Sequence, residues 1–250
     1  GQFMVPYLFG RALARRLRLQ LLDKFAPFPC CGSGMDVYLE HALVCSCGGD
    51  RTLRHNAVRD QVFSEANEAG LRVEREKAGL LPPRPGDETL RGERGNQANR
   101  RPADIWLASW QDTRAAAVDF AVTSGLKADS VGTAASNTTA IWGNYEHFKR
   151  QHLETEAACQ QSRLVFLPLI VEAHGGGLGP VARKVVAHLA KASAAREGED
   201  VETQAASLLR RISSSVYRDN ARAVLRHLPV SASPHPSPCP EAWDADMPWQ

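Results

Sequence analysis

Four charged residues have the types that phosphoryl chemistry needs: Glu76 in VERE, Asp104 in RPAD, Asp119 in AVDFAVT and Lys149 in YEHFK. Carboxylates brought side by side hold a hard divalent cation, with water filling its remaining positions. A cation so held polarises a phosphoryl oxygen and acidifies bound water, while a nearby lysine orients the water or stabilises pentacovalent charge. Asp104 precedes Ile105-Trp106-Leu107, and Asp119 lies between Val118 and Phe120. In such apolar company two neighbouring carboxylates repel one another unless a cation neutralises them. Mg²⁺ is the ion these residues lead us to expect. The competing reading is that Asp104 caps a strand and Asp119 faces solvent.

A second group lies upstream in CCGSGMDVYLEHALVCSC, followed by RHN. Zn²⁺ takes tetrahedral sulfur and nitrogen ligands, and the spacing from His41 to Cys45 suits a tight ligand turn. Cys31, His41 and Cys45 are the expected core of a zinc site. Cys30, Cys47 and His55 compete for the fourth position, because adjacent cysteines rarely reach one metal without distorting the backbone. The chain has six cysteines in 250 residues, which does not resemble a disulfide scaffold. Cys159 and Cys239 stand apart and read as a buried thiol and a tail thiol.

These side chains need elements to position them. Leu8, Leu13, Leu17 and Leu21 recur with arginines between them, which predicts a basic amphipathic helix over 7–24, stopped by FAPFP. Residues 56–67 read as a helix with Val58, Val62, Phe63 and Ala66 on one face, ended by Gly70. LRVERE, ADIWLASW and AAAVDFAVT read as strands, the last two joined at QDT. Residues 80–100 read as a long exposed loop. The segment from ASNTTA to ACQQ reads as one long helix and RLVFLPLIVEA as a buried strand, followed by GGGLG. PVARKVVAHLAKASAA begins a helix with Pro near its first turn, and the segment VETQ to RHL reads as a helix or helix pair. The Pro/Ser-rich stretch after Leu228 is expected to be disordered. The order predicts an α/β domain, one central sheet with helices on both faces, preceded by a metal knot. The expected divisions are a basic helical linker at 1–27, a Cys/His knot at 28–55, the α/β domain at 56–228 and a tail at 229–250.

The formal charge of +2 does not by itself indicate a polyanionic partner, although GRALARRLRLQLLDK and RGERGNQANRR are locally basic runs that can meet phosphates. No apolar stretch reaches membrane-spanning length and no signal segment is evident. The sequence starts at Gly rather than Met, compatible with a piece of a longer protein.

The succession of cysteines, His-x-x-x-Cys, Arg-His-Asn, a glutamate, Arg-Pro-Ala-Asp, a strand aspartate and a helical lysine resembles a known family. It is the restriction-like endonuclease region of non-LTR retrotransposon polyproteins, C-terminal to the reverse transcriptase and part of the PD-(D/E)XK superfamily. The resemblance covers about residues 28–228 and includes PLIVEAHGG and RRISSSVYRDNARAVL. It implies a PD-(D/E)XK core, metal binding by Asp104 and Asp119, and an upstream acid at Glu76 with Glu74 as its competitor. It further implies Mg²⁺ or Mn²⁺ at the catalytic site, a structural Zn²⁺, and DNA as substrate. Element RNA and an upstream reverse transcriptase are the implied partners, with no membrane, in the nucleus. The chain departs from the pattern in two places: Pro102 and Asp104 are split by Ala103, and Ala121 stands where the superfamily carries lysine. Lys149 is the expected substitute, with Lys127 a poorer one. If neither reaches the metal, an inactive zinc-containing nucleic-acid-binding module is the alternative, and a host protein that keeps the fold for scaffolding is a third. Tyr145 lies one turn before Lys149 and reads as core or site lining. Arg54 and His55 are candidates for phosphate contact or the zinc site, and Glu172 for site support or a strand-end surface role.

Overall fold

The computed structural model describes residues 4–28, 30–82, 102–111, 114–126 and 130–228. Most of the predicted 80–100 loop, the second basic run, Lys127, Cys239 and the tail lie outside the described residues. In chain order the elements are α1 (Pro6–Arg16), β1 (Ala26–Pro27), β2 (Gly34–Met35), α2 (His41–Val44), α3 (Asp50–Glu68), β3 (Val73–Arg75), β4 (Ile105–Trp110) and β5 (Arg114–Thr123). They continue with α4 (Val131–Ser136), α5 (Ala140–Gln151), α6 (Thr155–Gln161), β6 (Val165–Glu172), α7 (Pro180–Glu197) and α8 (Val201–His227). Two compact units result, one from residues 4–51 and 218–228, the other from 52–217.

The larger unit is α/β, with a mixed four-stranded sheet in the order β3-β4-β5-β6, flanked by helices. The first two pairings are antiparallel and β5–β6 is parallel, Asp119 lying opposite Pro168. A parallel pair needs a crossover, and α4 to α6 supply it. Alternation along the strands sorts the side chains. Ile105, Leu107, Val118, Phe120, Leu167 and Leu169 pack with Val58, Val62 and Ala66 of α3 and with apolar positions of α7 and α8. The opposite face sets Ala117 and Phe166 against Cys159 and Leu164. Strand β6 is buried on both faces, as its unbroken apolar run requires. Pro168 is tolerated because β6 is an edge strand. The glycine run after it folds back onto that edge: Glu172 N–H donates to Gly177, and Gly179 N–H to Ile170. Gly176 has φ +67°, and a Cβ there would stand 2.8 Å from Ser213 backbone, so both conformation and space require glycine.

The smaller unit packs Leu21, Leu22, Phe28, Met35, Leu39, Ala42, Cys45 and Val224 together. Arg15 is buried and bonds Glu40 at 3.0 Å and the Tyr38 carbonyl at 3.3 Å. Two helices differ from the sequence expectation. Helix α1 stops at Arg16 because Arg18 is left-handed (φ 55°), and the predicted long helix breaks twice, between α4 and α5 where Asn137 is extended, and between α5 and α6 at Leu153 and Glu154 (φ 54° and 53°). Left-handed L-residues do not continue a right-handed helix. Helix α3 starts earlier than its apolar periodicity, at Asp50, and α8 is a single helix.

Leu169 is fully buried in the central cluster while Leu209 is 39% exposed. Leu169→Ala is expected to lower unfolding free energy by about 2–5 kcal/mol in urea titrations, and Leu209→Ala by under about 1 kcal/mol.

Candidate functional site

Hydrogen bonding between strand ends brings three acids into a row. Glu76 N–H donates to the Asp104 carbonyl at 2.8 Å, and Asp104 N–H to the Val118 carbonyl at 3.1 Å. Because Ile105 pairs with Val118, Asp104 adjoins Asp119 on the next strand. Each acid has its own cationic or imidazole partner. Arg59 donates to Glu76 at 2.7 Å, His55 Nε2 lies 3.1 Å from Asp104 Oδ1, and Lys149 Nζ lies 2.9 Å from Asp119 Oδ2. His55 and Arg59 are four residues apart on α3, one turn on one face. That spacing was legible in RHNAVR, although the sequence pointed His55 toward zinc or phosphate instead. The Phe120 N–H donates to Asp104 Oδ2 at 2.7 Å, fixing that carboxylate from a second side.

The two aspartates differ in proton affinity. Burial pushes the Asp119 carboxyl up; Lys149 opposes this, Asp104 adds to it, and the net is above the usual carboxylate range. Burial acts on Asp104 in the same direction. There the hydrogen bond and charge of His55, the Phe120 N–H and Lys149 outweigh it, so Asp104 stays below its ordinary value. An ion pair at 2.9 Å beside a raised carboxyl means that desolvation wins at Asp119. Both carboxylates keep about a fifth of their surface exposed, at 20% and 19%, so the pair is open to a ligand.

The other sequence candidates are placed as follows. Glu76 sits just past β3 with φ 46°, its carboxylate on Arg59. Glu74 meets Lys77 at 2.8 Å. Glu172 accepts the N–H groups of His174 and Gly175, closing the turn after β6. Ala121 is buried two residues beyond Asp119, and Arg54 is buried on α3. Tyr145 lines a cleft with Thr123 and Phe148.

In the smaller unit the turn between β1 and β2 carries Cys31, while α2 begins at His41 and is capped by Cys45. One helical turn thus places His41 and Cys45 on one side. Cys31 Sγ lies 3.1 Å from His41 Nε2 and 3.7 Å from Cys45 Sγ. Their ligand atoms all fall within 4.8 Å of one another, the one such Cys/His/Asp/Glu group among the described residues, and could hold a metal ion such as zinc. Cys47 N–H donates to Cys45 Sγ at 3.4 Å. Cys30 Sγ is instead 3.5 Å from His227 Nδ1, whose Nε2 lies 2.7 Å from buried Asp50. His227 ends α8, nearly two hundred positions from Cys30, and nothing local in the sequence pairs them.

Ser33, through side chain and backbone, does most to lower the Cys31 thiol to about 6; burial opposes it, and His41 and Cys45 assist. Burial raises Cys45. Thiolate is both the nucleophile and the metal ligand. Alkylation of metal-free protein by iodoacetamide should therefore reach half its limiting rate at Cys31 near pH 6, and Cys45 should lag it at pH 7. Zn²⁺ should protect both, as read by mass spectrometry of the labelled peptides. Comparison with protein-family models and with curated proteins returns no match for this chain.

Proposed function

We propose that the chain is a metal-dependent endodeoxyribonuclease of the PD-(D/E)XK type, from the restriction-like endonuclease region of a non-LTR retrotransposon polyprotein. One observation carries the reading: Asp104 and Asp119 adjoin at the ends of neighbouring strands with Lys149 Nζ 2.9 Å from Asp119. The mixed sheet flanked by helices agrees with the core that the resemblance implies. Lys149 from α5 stands against Asp119 where Ala121 leaves the strand without its lysine.

Asp104 and Asp119 would hold Mg²⁺ or Mn²⁺, hard cations that take carboxylate oxygens. Bound there, the ion supplies Lewis acidity toward a phosphoryl oxygen and acidifies coordinated water. The chain's own residues do the rest. His55 and the Phe120 N–H hold Asp104 ionised and oriented, and Lys149 holds Asp119 while offering positive charge to the reacting phosphoryl group. Cys31, His41 and Cys45 would hold a structural Zn²⁺. Nicked DNA, with its 3′ hydroxyl priming an upstream reverse transcriptase on element RNA in the nucleus, is the setting that the resemblance implies. A second reading, an inactive zinc-containing binding module, draws on Ala121.

Supercoiled plasmid tests these readings. Mg²⁺- or Mn²⁺-dependent nicking, abolished by EDTA, is expected to fall at least about 10²-fold in Asp104→Asn, Asp119→Asn and Lys149→Ala. DNA binding without nicking in either metal would favour the inactive module.

A further inference from the structure

At the end of β5, four residues beyond Asp119, that strand, α4 and α5 line a cleft of about 250 Å³. Thr123, Ser130, Thr133 and Asn144 give it polar groups, and Tyr145 and Phe148 give it aromatic walls. Phe148 is 51% exposed, a large apolar ring left open beside a charged centre. It belongs to a ladder along α5: Tyr145 and Phe148 have ring centroids 5.7 Å apart, and Phe148 and His152 stand 5.2 Å apart at an interplanar angle of 31°. Residues 145, 148 and 149 share one face of α5, and His152 stands just past its end. That face also carries Lys149 to Asp119. Tyr145 is one turn before Lys149, a rise of about 6 Å. Thr123 lies on the same face of β5 as Asp119.

The lining selects the ligand chemistry. Among the described residues the lining offers hydroxyls, a carboxamide, Ile141 and two rings, and no charged side chain. Hydroxyls and a carboxamide both donate and accept, and the rings offer stacking faces. A flat heteroaromatic group with polar edges matches that combination. We propose that this cleft is a subsite for one unpaired nucleobase, stacked on Phe148 and Tyr145, next to the phosphate handled by Lys149 and the aspartates. The proposal rests on the nuclease reading. In a duplex both faces of each base are covered by neighbours, so the substrate strand must be locally single-stranded, or extrude a base, to enter. The enzyme therefore prefers DNA with an unpaired nucleotide at the cleavage position.

Binding in Ca²⁺, without turnover, tests the subsite apart from the chemistry. Fluorescence anisotropy would follow the full chain on a single-stranded oligothymidylate of about 12 nucleotides and on a blunt duplex. Phe148→Ala should weaken single-strand binding about tenfold and duplex binding less than about twofold, while Phe148→Trp should retain single-strand affinity, since stacking is lost with the ring and kept with a larger one. Equal losses on both forms, no loss on either, or no single-strand binding by the unaltered protein would overturn the proposal. Phe148→Ala losing capture of an apolar peptide while keeping oligothymidylate would overturn it in favour of a protein-docking face. A ring-dependent single-strand affinity in a protein that never nicks DNA with Mg²⁺ would instead overturn only the nuclease reading.

Discussion

Like charges at the strand ends are the constraint to which the larger unit answers. Glu76, Asp104 and Asp119 follow one another across the ends of β3, β4 and β5, and the two aspartates repel. The fold offsets this by aiming one partner at each. Helix α3 supplies His55 and Arg59 one turn apart, and α5 supplies Lys149. The partners are not equivalent. Asp104 receives enough hydrogen bonds to stay below its ordinary pKa, whereas burial leaves Asp119 above it despite Lys149.

That arrangement depends on the apolar layer behind it. Val118 and Phe120, which flank Asp119, are 0% and 2% exposed, and they fix the pleat that turns Asp119 to the opposite face. The parallel pairing with β6 requires a crossover, and the crossover includes α5, the helix bearing Lys149. The same topology that completes the sheet therefore delivers the lysine. Ala121, two residues beyond Asp119, is small and buried, and the positive charge at Asp119 comes from α5.

Much of this was legible in the chain. The apolar segments on either side of the polar QDT turn marked β4 and β5, the continuous run marked β6, and apolar spacing marked the inward face of α3. Asp104, Asp119 and Lys149 stood out by type, and the Cys31, His41 and Cys45 trio by spacing. Other features depended on tertiary context. The kink at Leu153 and Glu154 carries no Pro or Gly to announce it. The contact of His55 with Asp104 spans 49 positions and that of Cys30 with His227 spans 197, beyond the reach of any local pattern. Glu76 was read as part of the acidic series, and its row position follows from the register, but its pairing with Arg59 comes from how α3 packs.

The proposed function stands on a divalent-cation site formed by Asp104 and Asp119. Mn²⁺ binding followed by electron paramagnetic resonance, on protein already saturated with Zn²⁺, addresses it without any nucleic acid. One Mn²⁺ per chain is expected in the unaltered protein, displaced by excess Mg²⁺ and lost in Asp119→Asn. Mn²⁺ binding that is absent from the folded unaltered protein, or that survives unchanged in Asp119→Asn, would contradict it.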